Sequence, residues 1–258
     1  MRSTLRATAL AVLGLLLAGV SGRSEPVDLQ LVLAADVSSS IDDEEFALQR
    51  RGYAAALTDP GVLAAIRAGP LGRIAVCLVE WSGAAHQHVS VDWRVIDGEA
   101  SAADFAAMLL AAPRPFDGHT AIGAAIDFAV ARFDAGGHGS RRRTIDISGD
   151  GASRIGKPPD EARDEAVARG IVINGLAIVP PEPPPFDPYH NAHPLSGPLI
   201  ADRFSLIPLR LDPPGGLAEY YRANVAGGQG SFVMVVEDVR TFGTAMANKL
   251  IREIAQAP

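Results

Sequence analysis

The 258-residue chain is 48% hydrophobic and 21% charged, which is enough apolar sequence to bury the core of one large domain. Its 30 acidic and 23 basic residues give a net charge of −7, which argues against a protein that neutralises nucleic-acid phosphates. The single cysteine, Cys77, excludes an internal disulfide. Because Cys77 lies within the apolar run at 74–79, the sequence predicts that its side chain is buried.

Residues 1–22 have the pattern of a signal peptide. Arg2 and Arg6 precede an uncharged stretch at 7–20, and small residues follow at 20–22. The stretch is shorter than the roughly 20 residues that a membrane-spanning helix needs, and no cysteine follows it that could carry a lipid. We therefore expect cleavage after Gly22 and a periplasmic or secreted bacterial protein with no membrane span. Cleavage would take the net charge from −7 to −9; the alternative is an uncleaved N-terminal anchor.

Short apolar segments alternate with amphipathic ones along residues 23–258, which we expect to form one domain. The pattern predicts strands at 29–35, 73–81, 86–93, 143–148, 171–179 and 232–236, and helices at about 42–59, 102–111, 120–133, 160–169 and 239–255. Such alternation is typical of an α/β, doubly wound fold with a mainly parallel central sheet and helices on both faces. The segment at 86–93 is predicted to be a short antiparallel edge strand.

A proline-rich segment at 180–214 interrupts this alternation. Its prolines fit neither a central strand nor a helix interior. Loops of this length are uncommon in compact domains and are often functional. We interpret it as an insertion on the surface.

Oxygen-bearing side chains follow the first predicted strand at every second position, in Asp36, Ser38 and Ser40. In an extended turn these three side chains point the same way. They stand at the carboxyl end of a buried strand, where open α/β sheets bind their ligands. One carboxylate with neutral hydroxyls suits a hard cation such as Mg²⁺ better than zinc.

The segment at 31–40 resembles the first part of the metal-ion-dependent adhesion site of von Willebrand factor A (VWA) domains. Gly118-His119-Thr120 is similar to the loop whose threonine reaches the metal, and the segment at 145–151 resembles the one that bears the last aspartate. The resemblance covers about 28–255. It implies Mg²⁺, or Mn²⁺ or Ca²⁺, as the metal. The implied metal ligands are Asp36, Ser38, Ser40, Thr120 and Asp150, and the implied rim residues are Gly118, His119 and Gly151.

A closer resemblance is to a bacterial family of exported VWA-like proteins with no assigned biochemical function, carried by the segments at 79–83, 148–151 and 220–225. It implies the fold more than the role. The chain departs from the wider VWA pattern at Ser148-Gly149, where a threonine commonly precedes the last aspartate. This departure leaves Asp146 as the alternative to Asp150, although Asp146 falls inside an apolar run and is expected to face a neighbour or solvent.

The resemblance implies a binding protein and not an enzyme. Two carboxylates and three hydroxyls leave open positions on a dication, so an Asp or Glu of a partner can replace a bound water. The expected partner is therefore a protein or ligand that offers a carboxylate, and not a nucleic acid. His119, at the rim, would make such a site sensitive to pH.

Other interpretations of the same residues stay open at this stage. Ser39 or Ser40 could cap the first helix, and Thr120 the helix that follows it. The run at 151–157 has the spacing of a phosphate loop, but Pro158 stands where Ser or Thr is needed. Glu80-Trp81-Ser82-Gly83 lacks the first glycine of a hydrolase nucleophile elbow. A structural or assembly role through the loop at 180–214 is the remaining alternative.

Overall fold

One six-stranded sheet organises the computed structural model, which describes residues 25–179 and 215–256. The predicted signal peptide at 1–22 and the proline-rich segment at 180–214 lie outside the described residues. The strands are β1 (Gln30–Asp36), β2 (Ile74–Trp81), β3 (Gln87–Ile96), β4 (Arg143–Gly149), β5 (Ile171–Ile178) and β6 (Val233–Val236). The helices are α1 (Asp43–Leu57), α2 (Pro60–Arg67), α3 (Glu99–Ala111), α4 (Ile122–Ala135), α5 (Pro159–Ala168), α6 (Gly216–Asn224) and α7 (Phe242–Ala255).

The strand order is β3-β2-β1-β4-β5-β6, and every neighbouring pair is parallel except β2 and β3. This confirms the predicted doubly wound, mainly parallel sheet with an antiparallel edge strand. That strand is longer than predicted, because it continues beyond Trp93 to Ile96. β1 and β2 are buried along their whole length, as expected of apolar strands that are covered on both faces.

Helices cover both faces of the sheet. Side chains of α1, α2, α3 and α7 pack on one face, in a core that includes Tyr53, Phe105 and Phe242. Side chains of α4, α5 and α6 pack on the other face, in a core that includes Ile126 and Tyr221. Cys77 belongs to this second core and is fully buried, as predicted. Among the described residues, no helix is both long and apolar enough to cross a membrane.

Two helices were not predicted. α2 begins directly after Asp59, whose carboxylate accepts hydrogen bonds from the backbone N–H groups of Gly61 and Val62, with Pro60 in the first turn. The first helix was predicted to end near Asp59-Pro60, and the same pair also starts the next helix. α6 follows directly after the proline-rich segment, where no strand-helix alternation marks its start.

The helix starts decide the capping alternatives. Asp42 is the N-cap of α1 and forms a capping box with Glu45, so the alternative that Ser39 or Ser40 caps this helix is wrong. α4 begins at Ile122, two residues later than predicted, with Ala121 in the N-cap position. Thr120 is therefore not the cap of α4, and its side chain and those of the two serines are available for another role.

Candidate functional site

The predicted site residues lie at the carboxyl ends of β1 and β4. These strands are parallel neighbours. From β1 the chain runs through α1 and α2 to β2 on one side, and from β4 it runs through α5 to β5 on the other side. A crevice opens at such a switch point because the connections on its two sides run to opposite faces of the sheet. Asp36 ends β1, and Asp150 follows directly after β4. The fold thus brings two loops that are distant in sequence to one crevice.

A chain of hydrogen bonds joins four of the predicted residues. The backbone N–H of Ser38 donates to Asp36 Oδ1 at 2.8 Å, and the hydroxyls of Ser38 and Ser40 are 3.1 Å apart. The Ser40 hydroxyl donates to Asp150 Oδ1 at 2.8 Å. Two carboxylates and two hydroxyls therefore converge, three of these groups from the segment after β1 and the fourth, Asp150, from the loop after β4.

The loop that carries Thr120 is tied to the same crevice. Both the backbone N–H and the hydroxyl of Ser39 donate to the Gly118 carbonyl, at 2.8 and 3.1 Å. Thr120 is 5% exposed, and a Cβ placed on Gly151 would lie 4.0 Å from its hydroxyl oxygen. The Thr120 hydroxyl thus faces the loop that follows β4. His119, which directly precedes Thr120 in the chain, is exposed.

The Asp36 carboxylate lies in an electrostatically unfavourable position. It is fully buried, and its Oδ2 has no hydrogen-bond partner among the residues that the structure describes. Burial, with the nearby charge of Asp150 as a smaller cause, raises the pKa of Asp36 to about 8, and the hydrogen bonds from Ser38 limit this rise. A buried carboxylate with an unused oxygen next to a second carboxylate is a costly arrangement unless a cation balances it. The oxygen set therefore fits a hard divalent cation.

Gly149 and Tyr221 form the wall behind Asp36. A Cβ placed on Gly149 would come within 2.6 Å of the Tyr221 hydroxyl and 2.9 Å of Asp36 Oδ2, so only glycine fits there. The departure from the VWA pattern at Ser148-Gly149 thus makes room for a tyrosine that α6 brings to the site. Sequence reasoning missed this role of Tyr221, because its only signal was the family-like segment at 220–225.

Arg114 is a second residue that the sequence analysis missed. Its guanidinium donates to the carbonyls of Val37 and Ile41, at 3.2 and 2.8 Å, and to the Asp43 carboxylate at 2.8 Å. These bonds hold both ends of the segment that carries Ser38 and Ser40. A lone arginine in an irregular loop carries no pattern from which this contact could be predicted.

Asp146 lies on the opposite face of the sheet from Asp36. It forms an ion pair of 2.6 Å with Lys249 of α7, and both side chains are fully buried. The expectation that Asp146 faces a neighbour is met, and the possibility that it faces solvent is wrong. The structure therefore places Asp150, and not Asp146, at the crevice.

The lysine that the phosphate-loop alternative requires is paired with acidic side chains in the structure. Lys157 forms ion pairs with Asp127 and Glu165, at 3.1 and 2.7 Å, and α5 begins two residues later with Pro159 at its first position. In the hydrolase alternative, the hydroxyl of the buried Ser82 donates to the Asp117 carbonyl. Both groups are thus engaged in contacts within the fold.

Within the described part of the chain, no three His, Cys, Asp or Glu side chains group in a way that could hold a metal ion. The crevice has two carboxylates, and its other oxygens come from hydroxyls. Such a set is not a cluster of acidic or histidine side chains, so it is recognised in the sequence by the spacing of its serines and threonine.

Comparison with known proteins gives the family. Residues 26–258 match the model of a family described as "Protein of unknown function (DUF1194)". The chain belongs to this family. No curated protein matches it in sequence. The description of this family leaves its role open.

Solved structures similar to this family member have the VWA fold. Proximal thread matrix protein 1 from the mussel byssus, described with a zinc-occupied MIDAS motif, gives a TM-score of 0.60 at 14% identity over 90% of this chain and 49% of that one. A von Willebrand factor type A protein from Catenulispora acidiphila gives 0.54 at 13% identity, over 89% and 43%. The pilus adhesin SpaC from Lactobacillus rhamnosus GG gives 0.54 at 14%, over 90% and 30%. The chain thus spans half or less of each of these proteins, and the comparison confirms the VWA-like fold.

Proposed function

We propose that the protein is an exported binding module whose crevice holds a divalent cation, Mg²⁺ or else Mn²⁺ or Ca²⁺, and through it captures a carboxylate of a partner. The residues that would hold the cation are Asp36, Ser38, Ser40, Thr120 and Asp150. A cation bound there supplies an electrophilic centre with positions open to water or to a partner's oxygen. The proposed activity is binding, without catalysis.

The observation that carries this proposal is the unused oxygen of Asp36. Oδ2 is buried and accepts no hydrogen bond from residues 25–179 or 215–256, while Oδ1 accepts one from the N–H of Ser38. An isolated buried charge costs several kcal/mol, whereas the same charge is favourable as a metal ligand. Ser40 already orients Asp150, and Arg114 fixes the loop. The donor set is therefore positioned before any cation binds.

The partner's chemistry follows from the charge of the chain. With the net charge of −9 that removal of Arg2 and Arg6 leaves, the protein would repel an acidic partner at long range, so the attraction for a carboxylate has to come from the crevice itself. A matrix protein and a pilus adhesin share the fold, which is consistent with a role in attachment. We propose a periplasmic or secreted location, because residues 1–22 have the pattern of a signal peptide.

Thermal unfolding of the purified protein with EDTA and with millimolar Mg²⁺, Mn²⁺ or Ca²⁺ tests the metal site. A cation at 100 times its dissociation constant stabilises a protein by about 2.7 kcal/mol, or roughly 5–10 °C at this size. We expect this shift in the wild type and none in Asp36→Asn or Asp36→Ala. Asp104→Asn, which removes an exposed carboxylate from α3, is the matched control and keeps the shift.

A wild-type protein whose melting temperature responds to none of the three cations would refute the metal-centred function. An equal shift in wild type and Asp36→Asn would show that the cation binds elsewhere. With the site established, binding of a blocked aspartate peptide in the presence of Mg²⁺, and its loss in EDTA, tests the capture of a carboxylate.

A further inference from the structure

A second cavity lies beside the crevice, between the start of α1 and the segment that follows β6. Its volume is about 440 Å³, within the range of small-ligand sites. Asp150 lines it and also takes part in the crevice. The cavity and the crevice therefore adjoin at Asp150.

Nearly all the charged side chains around this cavity are acidic. The acidic residues that line it are Asp42, Glu44, Glu45, Asp150, Glu237 and Asp238. The one basic residue, Arg240, is paired with Asp238 at 2.6 Å. Asp42 and Glu45 are used in the capping box of α1, whereas the side chains of Glu44 and Glu237 form no hydrogen bond or ion pair with any described residue. Two carboxylates from opposite sides thus line the cavity without a counter-charge from the described part of the chain.

Gln49 provides an independent sign of a ligand. It lines the cavity, is 1% exposed, and its side-chain amide forms no hydrogen bond with the described residues. A buried amide without a partner costs free energy unless a ligand or water satisfies it. Because no bond fixes its orientation, the amide can turn either its carbonyl or its N–H group towards a ligand.

The rest of the lining is aliphatic, and its residues are Ile41, Leu48, Ile178 and Val239. Lysine and arginine combine a methylene stem that packs on such surfaces with a cationic end that needs acceptors. We propose that this cavity binds a lysine or arginine side chain of the partner whose carboxylate is captured at the crevice. This inference rests on the proposed function for its place in recognition, and it adds that the partner carries a basic residue close to its acidic one.

The cavity can be tested without metal. We expect N-butylguanidinium, added to the protein in EDTA, to cause saturable NMR shifts of the Gln49 side-chain amide, while the uncharged N-butylurea causes none. The shifts should disappear in the double variant Glu44→Gln/Glu237→Gln. They should persist in Glu161→Gln, which removes an acid from the first turn of α5 as Glu44→Gln does from α1. Absence of saturable shifts in the wild type would overturn the proposal.

A second measurement tests recognition. Blocked peptides with Asp and Arg separated by zero to three glycines are compared, in Mg²⁺, with peptides in which neutral citrulline replaces Arg. At the matching spacing we expect the arginine peptide to bind about fivefold more tightly, as for one partly exposed ion pair. The advantage should vanish in Glu44→Gln/Glu237→Gln and remain in Glu161→Gln.

Equal binding of the two peptides at every spacing, with Mg²⁺-dependent binding intact, would overturn the inference and leave the proposed function standing. Two bound Ca²⁺ or Mg²⁺ ions in the wild type and one in the double variant would also overturn it, because the cavity would then be a second metal site. Peptide binding that is equally tight with and without Mg²⁺, together with saturable N-butylguanidinium shifts, would refute the proposed function and support cation binding in the cavity.

Discussion

Asp36 and Asp146 are buried aspartates on neighbouring strands, and the fold treats their charges in opposite ways. Both are fully buried, and burial raises the pKa of each. For Asp146 the nearby Lys249 opposes the rise, whereas for Asp36 the carboxylate of Asp150 adds to it. One charge is thus balanced from within the fold, and the balance of the other is left to something that binds. Burial of an acid therefore does not by itself distinguish a structural residue from a site residue.

The charges around Asp146 form a buried network within the fold. Lys249 lies 2.6 Å from both Asp146 and Glu253, and the Asn174 side chain donates to Glu253 at 2.8 Å. The side-chain carbonyl oxygen of Asn174, Oδ1, in turn accepts a hydrogen bond from the backbone N–H of Phe232 at 3.0 Å. The network links β4, β5 and α7 and presents no group to the crevice.

The largest effect is expected where this internal balance is broken. Lys249→Met leaves the buried carboxylates of Asp146 and Glu253 without a cation, which should lower the free energy of unfolding by about 3–5 kcal/mol at pH 7. Urea unfolding measures the change. The triple variant Asp146→Asn/Lys249→Met/Glu253→Gln removes the charges together and should recover most of the loss. A loss under about 1 kcal/mol in the single variant would contradict the structural role of the network.

The next effect is a pH dependence that belongs to Asp36. Its pKa is about 8 in the folded chain and lower when unfolded, so folding retains a proton between these values. The stabilisation is complete below the unfolded pKa and is lost as the pH rises through 8, by up to about 1.4 kcal/mol per pH unit. The measurement is urea unfolding in EDTA from pH 5 to 9, taken as the difference between wild type and Asp36→Asn. Parallel pH profiles for the two proteins would contradict it.

The smallest effects separate two serines. Ser148 and Tyr53 share a buried hydrogen bond of 2.7 Å on the face that carries Asp146, so Ser148→Ala should cost about 1–3 kcal/mol and leave the Mg²⁺-induced shift unchanged. Ser40 is exposed at the crevice, so Ser40→Ala should change stability in EDTA by less than about 0.5 kcal/mol and reduce that shift. If both variants lose the Mg²⁺ response equally, the two faces of β4 are coupled and the comparison fails.

The sequence predicts the sheet well because its strands are short apolar runs between polar helices. It also predicts which residues meet after β1, since the alternation of Asp36, Ser38 and Ser40 and the end of a buried strand act together. The resemblance to VWA domains was needed to add Thr120 and Asp150, which stand about 80 and 110 residues further on, as the Ser39–Gly118 and Ser40–Asp150 contacts illustrate.

Other features depend on packing between distant elements. The sequence gives no reason why Asp146 should meet Lys249, because nothing local links a strand residue to a helix about 100 residues away. The cavity beside the crevice likewise needs α1 and the end of β6 to lie side by side. Tyr221 was overlooked because α6 was not predicted and because an aromatic residue is most often part of a core, to which Tyr221 also belongs.

Because Cys77 is buried, the reactivity of its thiol measures how often the central strands of the sheet separate. The thiol lies in the middle of β2, opposite Val32 of β1, and burial raises its pKa to about 11. A thiol reagent in solution reacts with the exposed thiolate, so alkylation has to wait until these central strands separate. Since the chain has one cysteine, a single modified mass counts opening events. A cation that binds only the folded crevice would slow that count without touching the cysteine.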